Sequence, residues 1–312
     1  MQVRYRSRSK NKFDYNSLYI VLIPLVLIMI TVFLVLIIKN SFALTEKKNE
    51  LKAIHANLFN SNKIDELIDL INKDIENNLF EPEFLVYRGY AYFLKGEDNS
   101  DIFIKQKFFN LALLDLRKAL ALGVPEKNLA NIYFTLAKIY FVKGFDYYNQ
   151  SIDYFNRSIL AGNSSRADLF FIMSVIYANS GDLKTSIDYL LKSYTIEKNE
   201  VVLYSLANNY FKIEDYNKSL LFINELIKSS DNQNIIENSY LLAGEIFFIK
   251  NEYDEALSNF DRVISINENN FTAYFYRGEI FAKKNNLVSA RAQWRKTLEI
   301  NPSHIKALNR LY

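Results

Sequence analysis

Two patterns of apolar residues divide the chain. Residues 18–38 contain no charged side chain at all. From residue 48 to the end, apolar positions instead recur three and four residues apart, in stretches separated by short polar breaks. The second pattern predicts a long series of amphipathic helices, paired as hairpins. The first predicts a helix apolar on every face, roughly 31 Å long at about 1.5 Å per residue, which is enough to cross a hydrocarbon core. A fully buried core helix is the alternative, but such helices rarely stay uncharged on all sides for this length.

Flanking charge gives the span an orientation. Arg4, Arg6, Arg8, Lys10 and Lys12 precede it, against Asp14 alone, whereas Lys39, Glu46, Lys47 and Lys48 follow it. The positive-inside rule puts residues 1–17 in the cytoplasm as a basic tail and the rest of the chain outside, beyond a linker at 39–47. A secretory signal cleaved after Ala43 is the competing reading, since Ser41-Phe42-Ala43 loosely fits a small-x-small site. The apolar stretch exceeds the usual 7 to 15 residues of a signal core, which favours an uncleaved anchor. High Asn, Lys and Ile usage suits an AT-rich bacterial genome, and with it the inner membrane and a periplasmic array.

Charge and composition then remove whole classes of function. The net charge of +3 arises in the first 40 residues, which carry +5, so the remainder sums to −2. Nucleic acid is not an expected partner, because its cations would have to be gathered on the folded part. With no Cys and only His55 and His304, thiol chemistry, disulfides and clustered metal sites are excluded. The 8 Gly and 4 Pro provide no phosphate-binding loop, and no cofactor is implied. Asp65-Glu66 and Asp254-Glu255 fall at predicted helix starts, where carboxylates complement the helix dipole and face solvent. A non-enzymatic protein is expected.

The hairpins repeat one another. In AYFYRGEIFAKKNNLVSARAQWRKTLEINP, starting at Ala273, setting Pro302 at position 32 puts Tyr274 at 4, Gly278 at 8, Phe281 at 11, Ala290 at 20 and Trp294 at 24. Tyr240, Gly244, Phe247, Ala256 and Phe260 stand 34 residues earlier at the same offsets. This resembles the tetratricopeptide repeat, a helix-turn-helix unit. The resemblance implies an all-α, right-handed superhelix (an α-solenoid) of six or seven repeats, near 48–81, 82–129, 130–166, 167–199, 200–236, 237–270 and 271–304, closed by a short C-terminal cap. One continuous stack is expected, because single hairpins leave too much apolar surface exposed. Gly89, Gly244 and Gly278 sit where helix A approaches helix B. Gly96, Gly144 and Gly181 sit at position 15, the turn, and Gly123 and Gly162 end B helices. The first copy departs most, with His55 at position 8. About 11 extra residues at 97–107 make either a longer loop, a longer B helix or a partner contact.

In this family, positions 2, 5, 9, 12 and 13 of helix A line a concave groove. Carried onto this chain, the resemblance implies a protein-binding groove formed by Phe93, Phe134, Phe141, Phe171, Tyr204, Phe211, Phe248 and Phe275, all at positions 5 or 12. Packing between repeats is the alternative role for these rings. The family's carboxylate clamp is absent: Lys138 holds one position 9, but Asn208, Glu245 and Glu279 hold that position in three later repeats. The implied partner is a protein recognised by apolar contact. A scaffold in a cell-envelope assembly (flagellar motor, secretion or division) and a periplasmic chaperone near the translocon both fit. A second copy of the chain is also an admissible partner.

Overall fold

The computed structural model describes residues 15–77 and 79–312, with side chains from residue 24 onward. The basic residues Arg4 to Lys12 lie outside the described residues. The described chain is helical throughout, with no strand among the described residues, and it divides into two compact units, Met1–Val124 and Pro125–Tyr312. The seven hairpins are therefore grouped as two in the first unit and five in the second.

The first unit opens with α1 (Tyr15–Asn60), one helix that contains the apolar span, residues 39–47 and helix A of the first hairpin. No Gly or Pro occurs between Pro24 and Pro82, so nothing punctuates the backbone where a linker was expected. The turn after α1 passes through Asn62 at φ 56°, and α2 (Ile64–Glu76) returns. Helices α3 (Pro82–Glu97) and α4 (Ile102–Leu122) form the second hairpin, with Pro82 in the first turn, where its missing N–H costs nothing. The insertion is thus divided: α3 runs on to residue 97, and Asp101 caps a lengthened α4 by accepting from the N–H groups of Phe103 and Ile104. Gly96 is consequently not a turn residue. It lies inside α3, where an added Cβ would stand 2.5 Å from the Phe109 ring.

Buried polar pairs join these helices. The Arg88 guanidinium donates to both oxygens of Asp115, at 2.7 and 2.8 Å, and to Asn72 Oδ1, tying α3 to α4 and α2. His55 is fully buried, with Nε2 2.9 Å from Asp74 Oδ2 and its ring edge-on to Phe84. Burial pushes the His55 pKa below its ordinary 6.5, against the opposing pull of Asp74. The folded unit therefore prefers neutral His55. That preference stabilises it fully above the ordinary histidine pKa and is lost as pH falls through the depressed folded value. Amide protection in α2, corrected for intrinsic exchange, should drop between pH 7.5 and 5, and His55→Gln should flatten that drop.

The second unit repeats one plan. Its hairpins are α5 (Glu126–Lys143) with α6 (Tyr148–Leu160), α7 (Ala167–Asn179) with α8 (Leu183–Ile196), and α9 (Glu200–Lys212) with α10 (Tyr216–Ser229). They continue as α11 (Gln233–Ile249) with α12 (Tyr253–Ile266) and α13 (Phe271–Lys283) with α14 (Leu287–Ile300), before the short α15 (Ile305–Leu311). Position 15 takes the left-handed conformation at Gly181, Glu214, Asn251 and Asn285 (φ 59° to 84°), so the turn geometry persists even where the glycine does not. At position 20 or its equivalent, Ser151, Ser186 and Ser219 donate at 2.8 Å to the carbonyls of Ala137, Ser174 and Ala207, the small residues of position 8 on the facing helix. Small side chains thus let the two helices approach, and the hydroxyl satisfies itself on the partner backbone.

Gly278 supplies that close approach in the last hairpin, where an added Cβ would meet Trp294 ring atoms at 2.5 Å. Gly278→Leu should destabilise the unit by about 1–3 kcal/mol through overpacking. A lowered thermal midpoint is the expected reading, and an unchanged one would contradict the repeat register.

Candidate functional site

Within the second unit, A helices touch in the pairs α5 with α7, α9 with α11 and α11 with α13. Of the eight rings implied to line the groove, Phe134 and Phe275 are buried here, and Phe93 is buried in the first unit, stacked 5.7 Å from Phe109. Phe134 meets Phe155 edge-on, and its face is covered by the Arg166 guanidinium at 3.7 Å. Asp168 holds that guanidinium by accepting from Nη2 at 2.8 Å and from Nε at 3.1 Å.

The other five rings are only partly buried. Phe171, Tyr204 and Phe211 lie on one core cluster, built from Leu203, Leu206, Ile223 and Leu226 among others, and Phe211 stands 5.9 Å from Tyr216. Phe141 stacks on Tyr148, and Phe248 lies between Tyr253 and Tyr276. Phe171 on α7 and Tyr204 and Phe211 on α9 thus each keep part of their surface exposed while packing on the same cluster. A cavity of about 330 Å³ opens beside Phe171, lined also by Asp168, Ser193, Glu197 and Val201.

A second region lies toward the C-terminal end of this unit, of which the sequence reading named only Phe248 and Phe275 as groove residues. Phe275 and Tyr276 on α13, with Lys306 on α15, border two cavities of about 510 and 340 Å³. Glu279 lines the first and accepts from Arg310 Nε at 2.9 Å and Nη2 at 2.6 Å. Glu245 lines the second, and burial pushes its pKa up, with the charge of Lys306 opposing. Both glutamates occupy position 9, which marked them in the sequence only as departures from the clamp. His304 caps α15, its Nδ1 accepting from the Ala307 N–H, and its ring lies 4.8 Å from Phe275. Among the described residues no group of three or more acidic or histidine side chains could hold a metal ion.

Comparison with known proteins identifies the architecture. Residues 244–285 match the TPR repeat family. The fold matches the C-terminal part of a TPR repeat-containing protein from Cytophaga hutchinsonii, with a TM-score of 0.66, 18% identity, and coverage of 84% of this chain and 99% of that one. YrrB, a TPR protein with an unusual peptide-binding site, matches at 0.52 and 20% identity over 62% of this chain and 96% of its own. PilF of Pseudomonas aeruginosa matches at 0.51 and 14% identity, over 71% and 95%. No curated protein matches this chain by sequence. The chain thus carries a match to the TPR repeat at 244–285 and shares the all-α repeat fold of solved TPR proteins, and it begins its described part with a helix long and apolar enough to cross a membrane.

Proposed function

We propose that this protein is a membrane-anchored, non-enzymatic scaffold that holds a partner protein on the aromatic face of its second unit, within a cell-envelope assembly. The observation that carries this reading is the incomplete burial of Phe171 on α7 and of Tyr204 and Phe211 on α9, all packed on one core cluster. Contiguous apolar surface of this kind is uncommon on a monomer and marks protein contact. Peptide binding, described for YrrB, is carried to this chain as part of the same proposal.

The anchor is residues 18–38, with the N-terminus cytoplasmic and the array periplasmic. Its support is the uncharged sequence, the uncovered side chains from Pro24 onward, and the excess of cations before the span. A reporter active only outside the cytoplasm, fused after Tyr312, should work. Cytoplasmic activity alone would reverse the orientation.

Quantitative purification from membranes tests the scaffold itself. One stoichiometric partner, lost when Tyr204 and Phe211 are both replaced by Ala, is the expected result. Many weakly held unfolded clients would establish the periplasmic chaperone instead.

A further inference from the structure

Position 9 of α11 and of α13 both carry glutamate, yet the two carboxylates are in different states. Glu279 is neutralised by the paired bonds from Arg310. Glu245 is half-buried, and among the described residues no donor is bonded to it; Lys306, exposed on α15, influences it only at a distance. A carboxylate partly withdrawn from water and bonded to no protein donor is disfavoured in its charged form, and burial raises its pKa accordingly. The cavity beside it is bordered by the rings of Phe275 and Tyr276 and by the polar side chains of Thr272, Asn301, Ser303 and His304. Tyr276 stacks on Phe260 at 5.2 Å and 3°, and meets Phe248 at 5.4 Å and Phe275 at 5.8 Å. Burial and the two nearby glutamates push the Tyr276 pKa up to about 12, so its phenol stays protonated.

Each feature selects for the same kind of guest. Anions are repelled by Glu245, and an uncharged apolar group would leave its carboxylate without a partner. A divalent metal favours several anionic oxygen ligands, whereas Glu245 is the one carboxylate among the residues lining this cavity and Lys306 shares the lining. A cation on an alkyl stem satisfies both surfaces, its charge on the carboxylate and its stem and charge against the rings.

We propose that the cavity between Glu245 and Tyr276 is a pocket for one Lys or Arg side chain of the partner polypeptide, placing a basic residue at the α15 end of the bound segment. This rests on the scaffold reading. Lys306 borders the same cavity and competes electrostatically with the incoming cation, so its removal should tighten binding.

The test pans a random peptide library against the full chain in nanodiscs and measures selected peptides by fluorescence polarisation. Selected peptides should share a Lys or Arg. Replacing that residue by norleucine, or the protein's Glu245 by Gln, should weaken binding about tenfold or more, and the two losses should not add. Glu245→Gln is nearly isosteric and removes a desolvated charge, so its thermal midpoint should hold or rise. As independent readouts, wild-type affinity should fall as acidification protonates Glu245, a fall that Glu245→Gln should abolish even though His304 borders the same cavity, and Lys306→Gln should raise affinity. Peptides that lack basic residues, or that bind wild type and Glu245→Gln alike, overturn the pocket. If those peptides still need Tyr204 and Phe211, the scaffold reading survives alone. If no peptide binds, both fall.

Discussion

Arg88→Met is expected to destabilise the first unit by about 3–5 kcal/mol, because it strands a buried carboxylate. Asp115 is almost inaccessible to solvent, and its two oxygens are both taken by Arg88. The same guanidinium donates to Asn72, so one side chain secures the second hairpin internally and joins it to the first. Methionine keeps much of the stem volume but none of the five donors. The lost charge of Arg88 leaves Asp115 with neither water nor a partner. Amide exchange in α3 and α4 of the full chain reads the loss directly. The double variant Arg88→Met with Asp115→Leu should recover most of it, since a buried ion pair exchanged for apolar groups is often neutral in stability. A cost under about 1 kcal/mol for the single variant would mean that water reaches Asp115.

None of that pair is visible in the repeat pattern, and the contrast explains what was legible in the sequence. The repeat register is a local property, written in small residues and aromatics at set offsets. The predicted repeat starts Pro82, Ala167, Glu200 and Phe271 are therefore also the first residues of helices. Where preceding residues also favour helix, the boundary moves: α5 and α11 begin four residues before positions 130 and 237. Gly96 was misassigned because the inserted residues let α3 continue past the usual turn. Contacts set by tertiary structure follow no such offsets. Arg88 and Asp115 stand 27 residues apart, and Arg166 covers a ring 32 positions earlier. Helical spacing puts Phe134 on the A helix α5, where it is buried. It carried no information about the cation lying across that ring, nor about the missing partner of Glu245.

Replacing both Tyr204 and Phe211 by Ala should weaken the partner by about 2 kcal/mol or more per ring, with their proximity making the total differ from a simple sum. The two rings occupy positions 5 and 12 of α9, about two helical turns apart on one face, and each is partly exposed over a common cluster. A partner covering them would remove the remaining surface from water, while the cluster beneath holds them in place, so little ordering cost opposes the gain. The same contact with the cluster makes a stability control necessary. The thermal midpoint should fall modestly, by less than a fully buried ring would cost, and the conservative Phe211→Leu should restore the midpoint more than the affinity. Undiminished affinity in a folded double variant would remove the partner from this face. Attention would then pass to the insertion in the first unit, where Ile102, Phe103 and Ile104 open α4 with their side chains exposed, Phe103 at 80%. Phe103→Ser separates the two sites because the ring has little packing to lose: it should leave both midpoint and affinity unchanged if the α9 face is the contact, and abolish binding if the insertion is.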